Sequence, residues 1–365
     1  MIETNKFGKA IKELGVDGYT GVPCSYLKNF INFAYNSGTY TNAPNEGEAL
    51  AFASGTFVGN KTTAVLLQNS GLGNMINPLS SLNEPFKIPV LIFISMRRDQ
   101  PGESQHRLMG ETTEKLIETL GFSSLTLSKE TENAISDIEF ALTEMNERQE
   151  PFFILVEKNT FDTVDLIPNE TKESSAIDEA FITKNATTKK TRFEVLKNIK
   201  SRFNDSIIIA TTGKTGRELF TVGDADSNLY MVGSMGLAST FALGVASATT
   251  RKVVVIDGDG AAVMRLSAMP MIANKHSKNL IHIILDNGVH DSTGGQQTIS
   301  NIIDFPEFAF MLGYDTFIDN GELKMKLPHN HPTLIYIKTL PGSMADLPRP
   351  DKEPDMKLRS LKQVL

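Results

Sequence analysis

Asp259 and Asn287 are two residues whose type and spacing can do chemistry. Asp259 lies between Gly258 and Gly260 just past an apolar run at 253–256; Asn287 follows Asp286 at the end of a second run, 281–285. The glycines let the backbone turn tightly and come close to a ligand. A separation of 28 residues leaves room for one helix between two parallel strands, so both ends share one sheet edge. A carboxylate oxygen and an amide oxygen are hard ligands, suited to magnesium or calcium, and such ions also accept diphosphate oxygens and water. A Gly-Asp-Gly turn alone is common after strands. Paired with an amide at this spacing, it points to a metal-diphosphate site.

The other glycine-rich turns fail the nucleotide motifs. Gly213-Lys214-Thr215 has the tail of a phosphate-binding P-loop, but Ile208 stands where that motif needs its first glycine. The turn at 70–74 has Ile76 in place of the third glycine of a dinucleotide fingerprint, and Gly233-Ser234-Met235-Gly236 is also incomplete. These broken fingerprints speak against a nicotinamide-dependent dehydrogenase. His329 and His331 have metal-like spacing in a loop without a nearby acid or cysteine, and read as ordinary surface.

Several elements must position these residues. Nearly continuous apolar runs occur at 64–67, 90–94, 152–156, 207–209, 253–256, 281–285 and 334–337. Without polar alternation, they read as strands buried on both faces, the mark of a parallel sheet. Helical patterns at 112–119, 136–146 and 192–202 lie between them, which gives an α/β fold with helices on both faces of each sheet. The polar stretch 169–190, with one weak helical patch at 176–182, reads as a linker between domains 1–168 and 191–365.

Composition sets the outer bounds. The 365 residues carry 36 basic and 43 acidic side chains, a net charge of −7, which disfavours a general nucleic-acid binder. Cys24 is the sole cysteine, so an intramolecular disulfide and a cysteine metal cluster are both excluded. The first residues show no basic region followed by an apolar run, and the apolar stretch at 88–96 is too short to span a bilayer. A cytoplasmic protein with no membrane partner is expected.

The Gly-Asp-Gly to Asn287 pattern resembles the thiamine-diphosphate binding motif, which closes on Asn-Asn where this chain has Asp286-Asn287. The family's ligand is the second of that pair. The resemblance implies that Asp259, Asn287 and the backbone carbonyl of Val289 hold magnesium, and that Gly258, Gly260 and Ala261 line the cofactor. It also implies a pyrimidine-binding glutamate nine residues before a glycine in an alanine-rich helix, which Glu46 and Gly55 fit. Glu48 fits an ordinary acidic helix start. In Gly233-Ser234-Met235-Gly236, Met235 matches the bulky apolar residue beneath the cofactor. The fold implied is two thiamine-diphosphate-binding domains, pyrimidine-type then diphosphate-type, without a middle domain.

That missing domain narrows the resemblance to the phosphonopyruvate and sulfopyruvate decarboxylases, with local support at 21–28, 67–74, 211–219 and 288–296. Sulfopyruvate decarboxylases often divide the halves between subunits, whereas this chain is fused, which favours phosphonopyruvate as the small-molecule substrate. Its carboxylate and phosphonate require cations: Arg97, Arg98, Lys214 and Arg217 are candidates, Lys214 foremost. His106 and His290 are placed for proton transfer; Ser25, Asp291 and Ser292 are candidate substrate contacts. Cys24 replaces an acid common after Val-Pro in relatives. The family also implies a homodimer or larger assembly with active sites shared between subunits. A catalytically silent cofactor-binding subunit is the rival reading, opposed by the presence of Glu46, Asp259 and Asn287.

Overall fold

The buried apolar runs assemble into two parallel sheets. The structure, a computed structural model, describes residues 1–98, 104–167, 182–184 (backbone only), 190–328 and 330–365. The chain divides into two compact units, Met1–Glu170 and Thr171–Leu365.

In the first unit, β1 (Val16–Gly21), β2 (Tyr40–Asn42), β3 (Thr62–Gln68), β4 (Leu91–Ser95), β5 (Ser123–Thr126) and β6 (Phe152–Val156) form a sheet in the order β2-β1-β3-β4-β6-β5. Every pairing in it is parallel. The strands β4 and β6 are wholly buried, as their apolar sequence, broken only by Ser95 at the end of β4, requires. Phe7, Phe30, Phe93 and Phe161 pack into one aromatic core below the sheet.

The second unit contains β7 (Ile182–Lys184), β8 (Ile207–Ala210), β9 (Asn228–Tyr230), β10 (Val253–Gly258), β11 (Leu280–Asp286), β14 (Asp315–Ile318) and β15 (Thr333–Lys338). They pair in parallel in the order β7-β14-β15-β11-β10-β8-β9. A small antiparallel hairpin, β12 (Val289–His290) with β13 (Gln296–Gln297), projects beyond β11. Inside the sheet, His282 Nε2 lies 3.0 Å from Asp257 Oδ2, and each side chain is about 1% exposed.

Two expectations change here. The stretch 169–190 is not all linker, because Ile182–Lys184 pairs in parallel with β14 and covers what would otherwise be an open sheet edge. The helical patch expected at 176–182 ends inside that strand, and its other residues lie outside the described ones. Among the described residues no helix is long and apolar enough to cross a membrane.

Candidate functional site

Parallel strands point their C-terminal ends to one edge, where ligands gather in open α/β sheets. In the second unit Gly258 pairs with Leu285, so Asp259 and Asn287 emerge just past the ends of adjacent strands. Asp259 starts the short helix Asp259–Met264 and is 2% exposed. Its Oδ2 accepts from the Thr298 hydroxyl, while its Oδ1 takes no hydrogen bond among the described residues. The Asn287 amide donates to Asp291 Oδ2 at 2.7 Å and accepts at Oδ1 from the Val289 N–H at 3.1 Å.

This donor set fits a magnesium ion. All three expected ligands are oxygens: one carboxylate, one amide, and the carbonyl of Val289 at the base of the hairpin. A Cβ added at Gly258 or Gly288 would meet nothing within 4 Å, so these glycines leave open space beside the ligands. At Gly260 the situation reverses. A Cβ there would come 2.5 Å from the His290 ring, so the imidazole lies directly on the helix start. Gly236 has φ +86°, and a Cβ on it would stand 3.0 Å from the Ala261 carbonyl; the 233–236 turn with Met235 therefore packs on the same helix. Ala261 is buried, and Ser234 adopts φ +51° in that turn.

The departure at Asp286 has a structural cause. This acid is 1% exposed and accepts from the Gly288 N–H, Lys338 Nζ and the Tyr336 hydroxyl, tying the end of β11 to β15. Burial, and then the hydrogen bond to Asp286, push the Tyr336 hydroxyl above the ordinary phenol range.

In the first unit Glu46 begins the helix Glu46–Val58, whose N-cap Asn45 accepts from the Glu48 N–H at 3.1 Å. Glu46 is 9% exposed. Asn74 donates to its Oε2 at 2.7 Å, and its Oε1 lies over Gly71, where a Cβ would stand only 2.1 Å away. Nearby strand ends add a polar cluster: Arg97 donates to the Ser25 hydroxyl at 2.9 Å and stacks over Tyr26. Asn69 donates to the Arg97 carbonyl, fixing the end of β3 to that of β4.

The remaining candidates separate by their partners. Lys214 opens the helix Lys214–Val222 at the shared edge of the second sheet, behind Gly213, whose added Cβ would meet Ser292 Oγ at 2.9 Å. Arg98 is instead held by the Gly110 carbonyl, Glu114 and Glu157, and Arg217 by the Pro348 carbonyl. Asp291 is no free substrate contact. Its oxygens accept from Arg192, Asn287 and the Gly342 N–H. His106 is 9% exposed at the end of a 3-10 turn, with Gln105 beside it. His331, contrary to expectation, has an acid at hand: Asp315 lies 3.0 Å from its Nδ1. His329 lies outside the described residues. Asn74, Thr298, Arg192 and Glu218 were invisible as site residues in the sequence, because no spacing rule joins them to the motifs they support.

Comparison with known proteins now bears on this geometry. Residues 5–117 match the model of the thiamine pyrophosphate enzyme N-terminal TPP binding domain, and 217–309 that of the C-terminal TPP binding domain. A phosphonopyruvate decarboxylase from Streptomyces hygroscopicus is 38% identical over 97% of this chain and 92% of its own length. The chain belongs to the thiamine-diphosphate-dependent decarboxylase family. Another relative of this decarboxylase, a sulfopyruvate decarboxylase from Methanosarcina acetivorans, is 30% identical over 83% of this chain and 80% of its own. The fold of the decarboxylase is shared with benzoylformate decarboxylase from Polynucleobacter necessarius, at TM-score 0.70 and 12% identity, covering 94% of this chain and all of that one.

Proposed function

We propose that this decarboxylase converts 3-phosphonopyruvate to phosphonoacetaldehyde and carbon dioxide, using thiamine diphosphate and magnesium, within phosphonate biosynthesis. The observation that carries the chemistry is the emergence of Asp259 and Asn287 from adjacent strand ends beside open glycines. The substrate is supported by the end-to-end similarity to a phosphonopyruvate decarboxylase, higher in identity and coverage than that to the sulfopyruvate enzyme.

When bound, thiamine diphosphate supplies an electron sink for the pair left behind as carbon dioxide departs. The chain's own residues do the rest. Asp259, Asn287 and the Val289 carbonyl would hold the magnesium, while Gly258, Gly260 and Ala261 and the turn of Gly233, Ser234 and Met235 would receive the cofactor. Glu46, oriented by Asn74, would hydrogen-bond the pyrimidine ring. Lys214 meets the anionic head of the substrate, with Ser25 and Arg97 as a second polar group. His290 and His106 hold protons for release of the aldehyde. The assembly is a cytoplasmic homodimer or larger, in which the pyrimidine half of one subunit serves the diphosphate half of another.

The test strips metal and cofactor with a chelator, then follows carbon dioxide release on adding back magnesium and thiamine diphosphate. Phosphonopyruvate, sulfopyruvate and pyruvate are compared at matched concentration, with Glu46→Ala as control. Activity that returns only with both additions, favours phosphonopyruvate and collapses in the variant is the expected result. Preference for sulfopyruvate overturns the substrate alone; absence of turnover with all three, despite cofactor binding, overturns the enzyme reading.

A further inference from the structure

We propose that Arg192, Glu218 and Asp291 form a buried clamp that sets the amide orientation of Asn287, and through it the affinity for the divalent cation. The proposal rests on the assignment of Asn287 as a metal ligand made above.

Arg192 opens the helix Arg192–Arg202, where the capping box of Thr191 and Glu194 fixes its start. The Arg192 side chain is 8% exposed and that of Glu218 1%. Arg192 Nε meets Glu218 Oε2 at 2.8 Å, and Nη2 meets Oε1 at 3.2 Å, a two-pronged pairing that fixes the guanidinium plane. Its remaining nitrogen, Nη1, donates to Asp291 Oδ2 at 3.1 Å. The Gly342 N–H donates to Asp291 Oδ1 at 3.1 Å, and the Met344 N–H to Glu218 Oε1 at 3.2 Å. One cation thus joins the helix Lys214–Val222, the turn of the β12–β13 hairpin and, through the Gly342 carbonyl, the chain after β15.

The consequence falls on Asn287. An ionised carboxylate only accepts, so Asp291 Oδ2 demands the NH2 side of the amide; the Val289 N–H only donates, so it demands the oxygen side. A flipped amide would set donor against donor at one end and acceptor against acceptor at the other. The oxygen is therefore held in one orientation before any metal arrives.

Asp291→Asn tests the clamp with little change of shape. In one orientation its amide sets a donor against Arg192 and Asn287, in the other against the Gly342 N–H. Apoprotein with thiamine diphosphate present is titrated with Mn2+, and free Mn2+ is read by electron paramagnetic resonance. Loss of a supporting hydrogen bond behind a ligand typically weakens metal binding about 10–100-fold. That weakening is expected here, with kcat recovering as the metal concentration is raised. Arg192→Lys keeps the buried charge but loses the fork; it is expected to weaken Mn2+ binding as well and serves if Asp291→Asn fails to fold. A folded variant with lowered thermal stability but unchanged Mn2+ affinity assigns the cluster to structure alone and overturns the proposal. Asn287→Ala separates the two readings. If it leaves Mn2+ binding unchanged, the metal assignment falls; if it abolishes binding while Asp291→Asn leaves the affinity unchanged, only the clamp falls.

Discussion

Glu46 is fixed from two sides, and each contact makes a separate demand on a single residue. Asn74 supplies a donor at 2.7 Å, and Gly71 supplies the absence of a side chain. An alanine at 71 would place its Cβ 2.1 Å from Oε1, so the carboxylate must move by about 1 Å, a displacement that costs on the order of 10²-fold in rate when it misaligns a catalytic group. Gly71→Ala is therefore expected to lower kcat by about that factor while keeping its circular dichroism spectrum; near-normal kcat would show that Glu46 tolerates displacement. Cys24 makes the opposite case, a residue that chemistry would single out and the structure quiets. Burial pushes its thiol above the ordinary range, with the Ser95 hydroxyl only partly opposing that. A raised pKa means less thiolate at a given pH. Iodoacetamide should modify Cys24 more slowly than free cysteine at pH 8, and modification should accelerate only as pH climbs beyond the usual thiol range. An equal rate at pH 8 would contradict the burial argument.

At the scale of elements, close backbone approach carries as much information as apolar runs. Gly21 ends β1 beside β3, and a Cβ there would lie 1.9 Å from the Leu66 carbonyl. No rotamer relieves a backbone clash, so Gly21→Ala is expected to cost more than about 2 kcal/mol, at the upper end of ordinary point-mutation effects. The shift in the denaturant midpoint measures it, and a change below about 0.5 kcal/mol would mean that β1 slides freely against β3. This constraint was not legible in the sequence, whereas most inner strands were; β1 and β14, each paired on both sides, were not. Residues 253–256 and 281–285 announce themselves because burial on both faces removes every polar residue but one, His282, which Asp257 pairs. Edge strands lack that signature: β5 reads Ser-Ser-Leu-Thr with only half-buried positions between exposed ones, and β2 and β9 are three residues long. The site divides in the same way. Asp259, Asn287 and Glu46 belong to motifs with fixed spacing, so the sequence offers them as candidates; Thr298 bonds Asp259 from 39 residues away and Arg192 bonds Asp291 from 99, distances set only by folding.

For the whole molecule, the residues proposed for the two halves of the chemistry lie in separate compact units, Glu46 in the first and Asp259 in the second. If one subunit's glutamate serves its neighbour's metal site, lesions in the two halves must complement. Glu46→Gln and Asp259→Asn are each expected to be inactive alone, the first for want of the carboxylate that meets the pyrimidine ring, the second for want of a charged metal ligand. A dimer containing one of each has both lesions at one shared site and neither at the other, so that second site works. Mixing the two proteins under conditions that exchange subunits should therefore bring back carbon dioxide release, with differently tagged copies confirming that mixed assemblies form. If each site were built within a single subunit, every site would carry one lesion and the mixture would stay silent. Silence in verified mixed assemblies would thus overturn the shared site, and sedimentation of the wild-type enzyme as an active monomer would do so without any variant.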